Sequence, residues 1–260
     1  MRVALCIETI FREFPFEERF SLVKVSGFDY VEFWTWEDKD IERIKQLCFE
    51  NKVKVAAFSV DQDFSLVDDS EREKYVDFVK RSIKSALELD CRCLVLHSNA
   101  LDKNGRVLRS YDEIGYEQKI QTMIDTLRIL APFAEEAGVT LVLEALNTKV
   151  DHPGNFLATT KDAIKVIRSV NSPNVKILYD VYHMQIMEGN LINTLREYID
   201  FIGHIHIADV PGRNEPGTGE INYPNIVKAL ESLNYKGAIG FELFPLHSSK
   251  EAVRAIQALF

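Results

Sequence analysis

The sequence predicts an α/β protein: a (β/α)8, or TIM, barrel formed as a single domain over residues 1–260. Three observations predict it. Eight short apolar runs alternate with eight longer amphipathic ones, as strand and helix alternate around a barrel. The short runs are rich in Val, Ile, Leu and Phe, the composition of strands covered on both faces of a parallel sheet. No Pro/Gly/Ser linker, composition shift or low-complexity block divides the 260 residues, a length that one barrel commonly fills. A doubly wound open sheet is the rival arrangement of the same alternation.

VALCIE (3–8) opens the chain as a strand, followed by an amphipathic stretch at 15–26. YVEFW (30–34) is aromatic and β-branched, and 37–51 returns to helical spacing. VKVAAFSV (53–60) leads through a loop at 60–69 to a helix at 70–89, with Asp69 and Ser70 ahead of Glu71 and Glu73 at its start. CLVLH (93–97) precedes a long connection, SNALDKNGRVLRSYDEIGY (98–116), the best candidate for a lid. The helix at 117–137 is stopped by Gly138. TLVLEA (140–145), a loop at 146–159 and a helix at 160–170 follow, with Thr160 ahead of Lys161-Asp162-Ala163. VKILYD (175–180) and HIHIAD (204–209) flank a helix at 190–199. The helix at 223–234 has Pro224 just inside its start and Asn234 and Gly237 at its end; AIGFEL (238–243) and a last helix at 248–259 complete the series.

The net charge of −9 argues against a general nucleic-acid surface and gives no attraction to a membrane. No apolar stretch approaches the ~20 residues of a membrane span. MRVALCIET lacks the apolar core and small-residue cleavage site of a signal peptide. Cys6, Cys48, Cys91 and Cys93 show neither CxxC nor Cys/His finger spacing, so they read as reduced thiols of a cytoplasmic protein, most of them packing residues.

Chemistry concentrates near the ends of the last four strands, which carry Glu144, Asp180, His206 and Glu242. These lie 36, 26 and 36 positions apart, about one strand–helix unit each. In a barrel those ends are neighbours on the rim that holds the active site. A charge inside an apolar strand is costly unless paired or bound to a metal. Three converging carboxylates would also raise one another's pKa values. One divalent cation removes that conflict. The mixed oxygen and nitrogen set suits Mn²⁺, Mg²⁺ or Co²⁺, with Zn²⁺ less favoured because no thiolate joins it. Singly, each residue has an ordinary reading as a solvated rim carboxylate or a core histidine; four in succession point to a site.

His204 and His206 share one strand face, with Ile205 and Ile207 on the other. The isoleucines suit the helix-facing side, so both histidines are expected to face the barrel interior. His206, nearer the rim, is the expected ligand. His204 should lie a layer deeper, buried and hydrogen-bonded.

The stretches LVLEALN, LYDVYHMQ, GHIHIADVPGRNEPGTGEINYP and GAIGFELFP resemble the hydroxypyruvate isomerase family, among the xylose isomerase-like barrels of sugar isomerases and epimerases. The resemblance is densest from 138 to 245 and most specific in R-x-E-P-x-x-G-E-I-N-Y at 213–223. It implies one divalent cation held by Glu144, Asp180, His206 and Glu242, with Glu144 and Glu242 as the acid/base pair. It also implies a small α-hydroxycarbonyl substrate such as hydroxypyruvate or a 2-oxo-tetronate. Members of the family often carry Gln where this chain has His206, whereas the related ketose 3-epimerases carry His. The Asp180-x-x-His183 spacing is shared with those epimerases, in which the corresponding histidine contacts substrate.

Such a site fits proton transfer through an ene-diolate that the cation stabilises as a Lewis acid. One carboxylate removes a carbon-bound proton and the other returns one. Arg213, in a Pro/Gly loop, suits bidentate capture of a substrate carboxylate. His97 suits contact with substrate or with water. Trp34, which shares a strand face with Glu32, suits a pocket wall. The expected partner is a small-molecule sugar or hydroxy acid, with no nucleic acid and no membrane; a homo-oligomer is compatible with the sequence. The alternatives are a ketose 3-epimerase, an AP-endonuclease-like nuclease and a non-catalytic sugar-binding barrel. The nuclease needs a further histidine ligand after an early strand, where this chain reads Phe58-Ser59-Val60-Asp61.

Overall fold

The computed structural model describes residues 1–260. The strands are β1 (Arg2–Cys6), β2 (Tyr30–Phe33), β3 (Lys54–Ser59), β4 (Cys93–Leu96), β5 (Thr140–Glu144), β6 (Val175–Asp180), β7 (Ile202–Ile207) and β8 (Ala238–Phe241). They pair in parallel in chain order, and β8 closes on β1 through Arg2 opposite Ala238 and Leu5 opposite Phe241. Closure rules out the open doubly wound sheet. The helices are α1 (Phe16–Val25), α2 (Ile41–Asn51), α3 (Arg72–Glu88), α4 (Tyr116–Ala137), α5 (Thr160–Val170), α6 (Val181–Met187), α7 (Leu191–Tyr198), α8 (Tyr223–Ser232) and α9 (Ser249–Gln257).

Helix starts differ from the sequence expectation for local reasons. α2 begins at 41 rather than 37 because the Asp40 side chain accepts the N–H of Arg43. The cap of α5 is Thr159, which accepts the N–H of Asp162, one residue before the expected Thr160. α6 was not anticipated. It starts directly at the end of β6, where the Asp180 carboxylate accepts the N–H groups of Tyr182 and His183.

Burial follows from strand periodicity. Most apolar side chains form one continuous core, which includes the strand faces turned toward the helices. A separate apolar plug of Ala57, Val95, Val142 and Leu178 fills the barrel interior. Two residues further along the same strands, on the same face, come Ser59, His97, Glu144 and Asp180. The ionisable groups therefore stand one layer above a dry floor, on the C-terminal side of the barrel. No helix is long and apolar enough to cross a membrane.

The loop between β7 and α8 is held by one buried side chain. The Asp209 carboxylate accepts backbone N–H groups from Val210 at 2.9 Å, Gly217 at 2.9 Å, Gly219 at 3.0 Å and Ile221 at 3.1 Å. Gly219 has to be glycine, because a Cβ there would overlap the Val210 carbonyl. The loop is also tied to the segment after β8. Phe244 N–H donates to Arg213 O at 2.8 Å, Asn214 Nδ2 to Phe244 O at 2.7 Å, and Leu246 N–H to the buried Glu215 carboxylate at 2.9 Å.

Replacing Asp209 strands several buried donors at once. Asp209→Ala is predicted to cost at least about 3 kcal/mol, since each unmet group costs about 1–3 kcal/mol. Denaturant unfolding checks this; a loss below about 1 kcal/mol would mean that the loop is held by something else.

Candidate active site

Glu144 ends β5, Asp180 ends β6, His206 is the penultimate residue of β7, and Glu242 directly follows β8. Each apolar strand thus brings its ionisable residue to the same rim. His206 Nδ1 lies 3.9 Å from Glu144 Oε1 and 3.7 Å from Glu242 Oε2. Donor atoms of Asp180, His206 and Glu242 lie within 4.8 Å of one another, and so do those of Glu144, Asp180 and His183. All four residues of the expected ligand set therefore face one small volume, with His183 beside them.

Each carboxylate has a different partner. Glu144 Oε2 accepts from His97 Nε2 at 2.9 Å, while its Oε1 is buried without a hydrogen-bond donor. His97 Nδ1 donates to Asp61 Oδ1 at 2.6 Å. Burial opposes charge on His97, but the two carboxylates raise its pKa well above the ordinary range. Both ring nitrogens are engaged by carboxylates, which sets His97 behind Glu144.

Glu242 accepts from Trp34 Nε1 at 2.6 Å through Oε1 and from Arg213 Nη2 through Oε2. Against the desolvation of burial, Arg213 and then His206 hold its pKa below the ordinary range. Trp34 is thus a fixed donor to a rim carboxylate. Arg213, expected to wait for a substrate carboxylate, already holds Glu242. Its guanidinium stacks over Tyr182 with 5.3 Å to the ring centroid, and its Nε is buried and unpartnered.

Asp180 shows the strain of this crowding. Burial, and after it Glu144, raise its carboxyl from 3.8 to about 7, with Arg213 and His206 opposing. His183 is wholly buried, and its Nδ1 accepts from Asn147 Nδ2 at 2.7 Å. That contact leaves the proton on Nε2, which lies 3.5 Å from Asp180 Oδ2 and has no hydrogen-bond partner. Desolvation and then Arg213 keep the ring neutral, its pKa well below the usual value.

Three participants escaped the sequence reading. Asp61 follows β3 and reaches His97. His152, in the loop after β5, donates from Nδ1 to Gly105 O at 2.6 Å, tying that loop to the expected lid. Glu32 lies in β2 with Oε1 2.8 Å from His204 Nε2 and Oε2 3.2 Å from His206 Nε2. Desolvation opposes its charge, yet His204 first and His206 after it lower its pKa to about 2. Strand alternation was the available signal, since Glu32 sits between Val31 and Phe33 at an interior position. His204 is buried, as expected, but the expected hydrogen bond is not made at Nε2, which lies 2.8 Å from Glu32 Oε1 without alignment.

The donor chemistry fits a divalent cation. Carboxylates from three strand ends and one imidazole converge, and three of their buried atoms, Glu144 Oε1 and both ring nitrogens of His206, lack hydrogen-bond partners.

The chain is similar to known proteins over nearly its whole length. The hydroxypyruvate isomerase of Escherichia coli K12 is 33% identical over 98% of this chain and 97% of its own length. The 2-oxo-tetronate isomerase of Pectobacterium atrosepticum is 31% identical over 97% of this chain and 95% of its own. A crystal structure described as an AP endonuclease, family 2, from Brucella melitensis superposes with a TM-score of 0.90 at 30% identity, covering 99% of this chain and 98% of that one. The D-psicose 3-epimerase of Clostridium cellulolyticum H10 shares the fold at 22% identity and a TM-score of 0.81, covering 100% of this chain and 96% of that one. Fold, rim and relatives together define a barrel enzyme of the isomerase class. More particularly, the chain belongs to the xylose isomerase-like TIM barrel family, whose model matches residues 20–259.

The charge balance at the rim sets a pH dependence. Desolvation lowers the pKa of His206, but Glu32, Glu242 and Glu144 together raise it from 6.5 to about 10. A histidine raised in this way stabilises the fold fully below its ordinary value and loses that contribution as pH rises through the folded value. Chelator-treated protein is therefore predicted to lose thermal stability between about pH 7 and pH 10. His206→Gln should flatten the decline, with His97 retaining part of it. Melting curves across that range check this, and equal slopes in the two proteins would contradict it.

Proposed function

We propose that the protein is a divalent-cation-dependent isomerase of small α-hydroxycarbonyl acids, interconverting hydroxypyruvate with tartronate semialdehyde or acting on a 2-oxo-tetronate. The observation that supports this reading is the approach of both Glu144 and Glu242 to His206 Nδ1, at 3.9 and 3.7 Å. Two carboxylates around one small volume suit proton removal and return on adjacent carbons. The similarity to the E. coli hydroxypyruvate isomerase and the P. atrosepticum 2-oxo-tetronate isomerase supports the substrate class.

Glu144, Asp180, His206 and Glu242 would hold the cation, which when bound supplies Lewis-acid polarisation of the substrate carbonyl and hydroxyl oxygens. Asp180 and His206 serve as holding groups. Glu144, fixed on one oxygen by His97 and bare on the other, and Glu242, fixed by Trp34 and Arg213, form the proton-transfer pair. One removes the carbon-bound proton, leaving an ene-diolate of the substrate. The other delivers a proton to the neighbouring carbon. His183, with its proton on Nε2, donates to a substrate oxygen. The unpartnered Nε of Arg213 offers a charged donor to a substrate carboxylate. The plug beneath the site and the tied loops above it keep bulk water from the intermediate.

A ketose 3-epimerase has His206 in its favour. The same rim carboxylates would then return the proton to the opposite face of one carbon. The nuclease reading gains nothing at the rim, because the group after β3 is Asp61, engaged with His97.

Two outcomes test the proposal. Chelator treatment should abolish turnover of hydroxypyruvate or a 2-oxo-tetronate, and Mn²⁺, Mg²⁺ or Co²⁺ should restore it. Glu144→Gln and Glu242→Gln should each lower kcat by roughly 10²–10⁴. Turnover of none of these substrates, or unchanged kcat in both variants, defeats it. Arg213→Met should raise KM for the acid substrates by at least about tenfold, the effect of removing a charge-assisted contact. A free ketohexose tested alongside should be the poorer substrate of the wild type; a preference for the ketose would favour the epimerase.

A further inference from the structure

We infer that Glu32 is the positioning residue for His206, fixing which ring nitrogen faces the cation; the inference rests on the cation-dependent reading above. A histidine ligates through an unprotonated nitrogen and carries its proton on the other. His206 turns Nδ1 toward Glu144 and Glu242, so Nε2 must carry the proton. The carboxylate oxygen nearest Nε2 is Glu32 Oε2, at 3.2 Å, an ion-pair contact that is not aligned as a hydrogen bond.

Glu32 serves two imidazoles at once. Its other oxygen lies 2.8 Å from His204 Nε2, and the two histidine rings meet edge to face with centroids 5.1 Å apart. Two imidazole nitrogens within 2.8 and 3.2 Å of one side chain, if each carries a proton, require two acceptors and no hydrogen. A carboxylate meets that requirement; the amide of Gln offers one acceptor and turns an NH₂ toward the second imidazole. With Glu32 only 3% exposed, water does not replace a missing acceptor cheaply.

A second strand carries an independent mark of the same arrangement. Gly240 stands in register with His206 on the adjacent β8. A Cβ at Gly240 would overlap the Glu32 carboxylate, with Oε1 at 2.7 Å. The position has no positive φ, so conformational freedom does not explain the glycine. Room for the Glu32 carboxylate does. β8 gives up a side chain so that a residue of β2 can reach across to β7.

The test measures cation binding rather than turnover. Mn²⁺ and Co²⁺ are titrated into chelator-treated wild type, Glu32→Gln and Gly240→Ala, with Kd, stoichiometry and the Co²⁺ visible spectrum read in each case. Melting of the metal-free proteins is recorded in parallel. The expected result is one ion per chain, a Kd weakened roughly 10- to 100-fold in both variants, and a shifted Co²⁺ spectrum. Gly240→Ala alters no charge, so agreement between the variants isolates carboxylate placement, and it serves alone if Glu32→Gln does not fold. Unchanged Kd and spectrum in the folded variants overturn the inference. So does a weakening no larger than the loss of metal-free stability accounts for. Two ions on the wild type, one of them lost in Glu32→Gln, would make Glu32 a ligand itself and also overturn it. A wild type that binds no divalent ion defeats the functional reading instead, so the two failures are distinct.

Discussion

The organising constraint of this molecule is the repulsion among three carboxylates buried at neighbouring strand ends. Glu144, Asp180 and Glu242 are 3%, 2% and 9% exposed, so water does little to screen them. Much of the surrounding structure answers that repulsion. His97, backed by Asp61, sits on Glu144. Arg213 and Trp34 sit on Glu242. The first turn of α6 offers two N–H groups to Asp180. His206 stands among all three, and Glu32 supports it from below. The strand ends can carry this charge because the loops and neighbouring strands bring a counter-group to each of them.

That division explains what the sequence makes legible. The barrel can be read from alternation alone, because buried parallel strands and amphipathic helices leave opposite signatures. Glu144, Asp180, His206 and Glu242 can be read because a charge at the end of an apolar run is conspicuous. Their partners cannot be read the same way. Asp61 lies in a loop of ordinary polarity, and no local pattern says that it will meet a histidine 36 residues later. Trp34 and Glu32 belong to the second strand, yet they act on the eighth and the seventh, a relation fixed by closure and register rather than by spacing. Alternation places Glu32 inside the barrel, but an interior glutamate acquires meaning only once His204 and His206 are seen opposite it.

The phrase at 213–223 illustrates a different limit. Its residue types invite a chemical reading, with a cation, acids, glycines and an amide in eleven positions. The structure gives most of them mechanical work. Gly217 and Gly219 present N–H groups to Asp209, Glu215 anchors the segment after β8, and Asn222 caps α8. Arg213 alone reaches the rim carboxylates, and it does so from a left-handed backbone position at φ 56°. A distinctive motif can therefore mark an active site without supplying its reacting groups, because the loop that aims one guanidinium needs many constrained residues.

The two carboxylates of the proposed proton-transfer pair are held by unlike means, and the difference follows from where their strands end. Glu144 closes β5 next to β4, so its neighbour is His97 and, behind it, the partly exposed Asp61. Glu242 lies beyond β8, where the next strands around the ring are β1 and β2 and the loop from β7 folds over the top. Its neighbours are therefore an indole and a guanidinium. Asp180, between them in strand order, has a helix cap and a neutral His183 close by, and the charges of Arg213 and His206 do not outweigh burial and Glu144, so it is the acid driven toward protonation, with a pKa of about 7. A divalent cation and a proton on Asp180 relieve the same crowding. The ring is thus least satisfied at its centre, between the two carboxylates that have partners of their own, and that is where the candidate donor atoms converge.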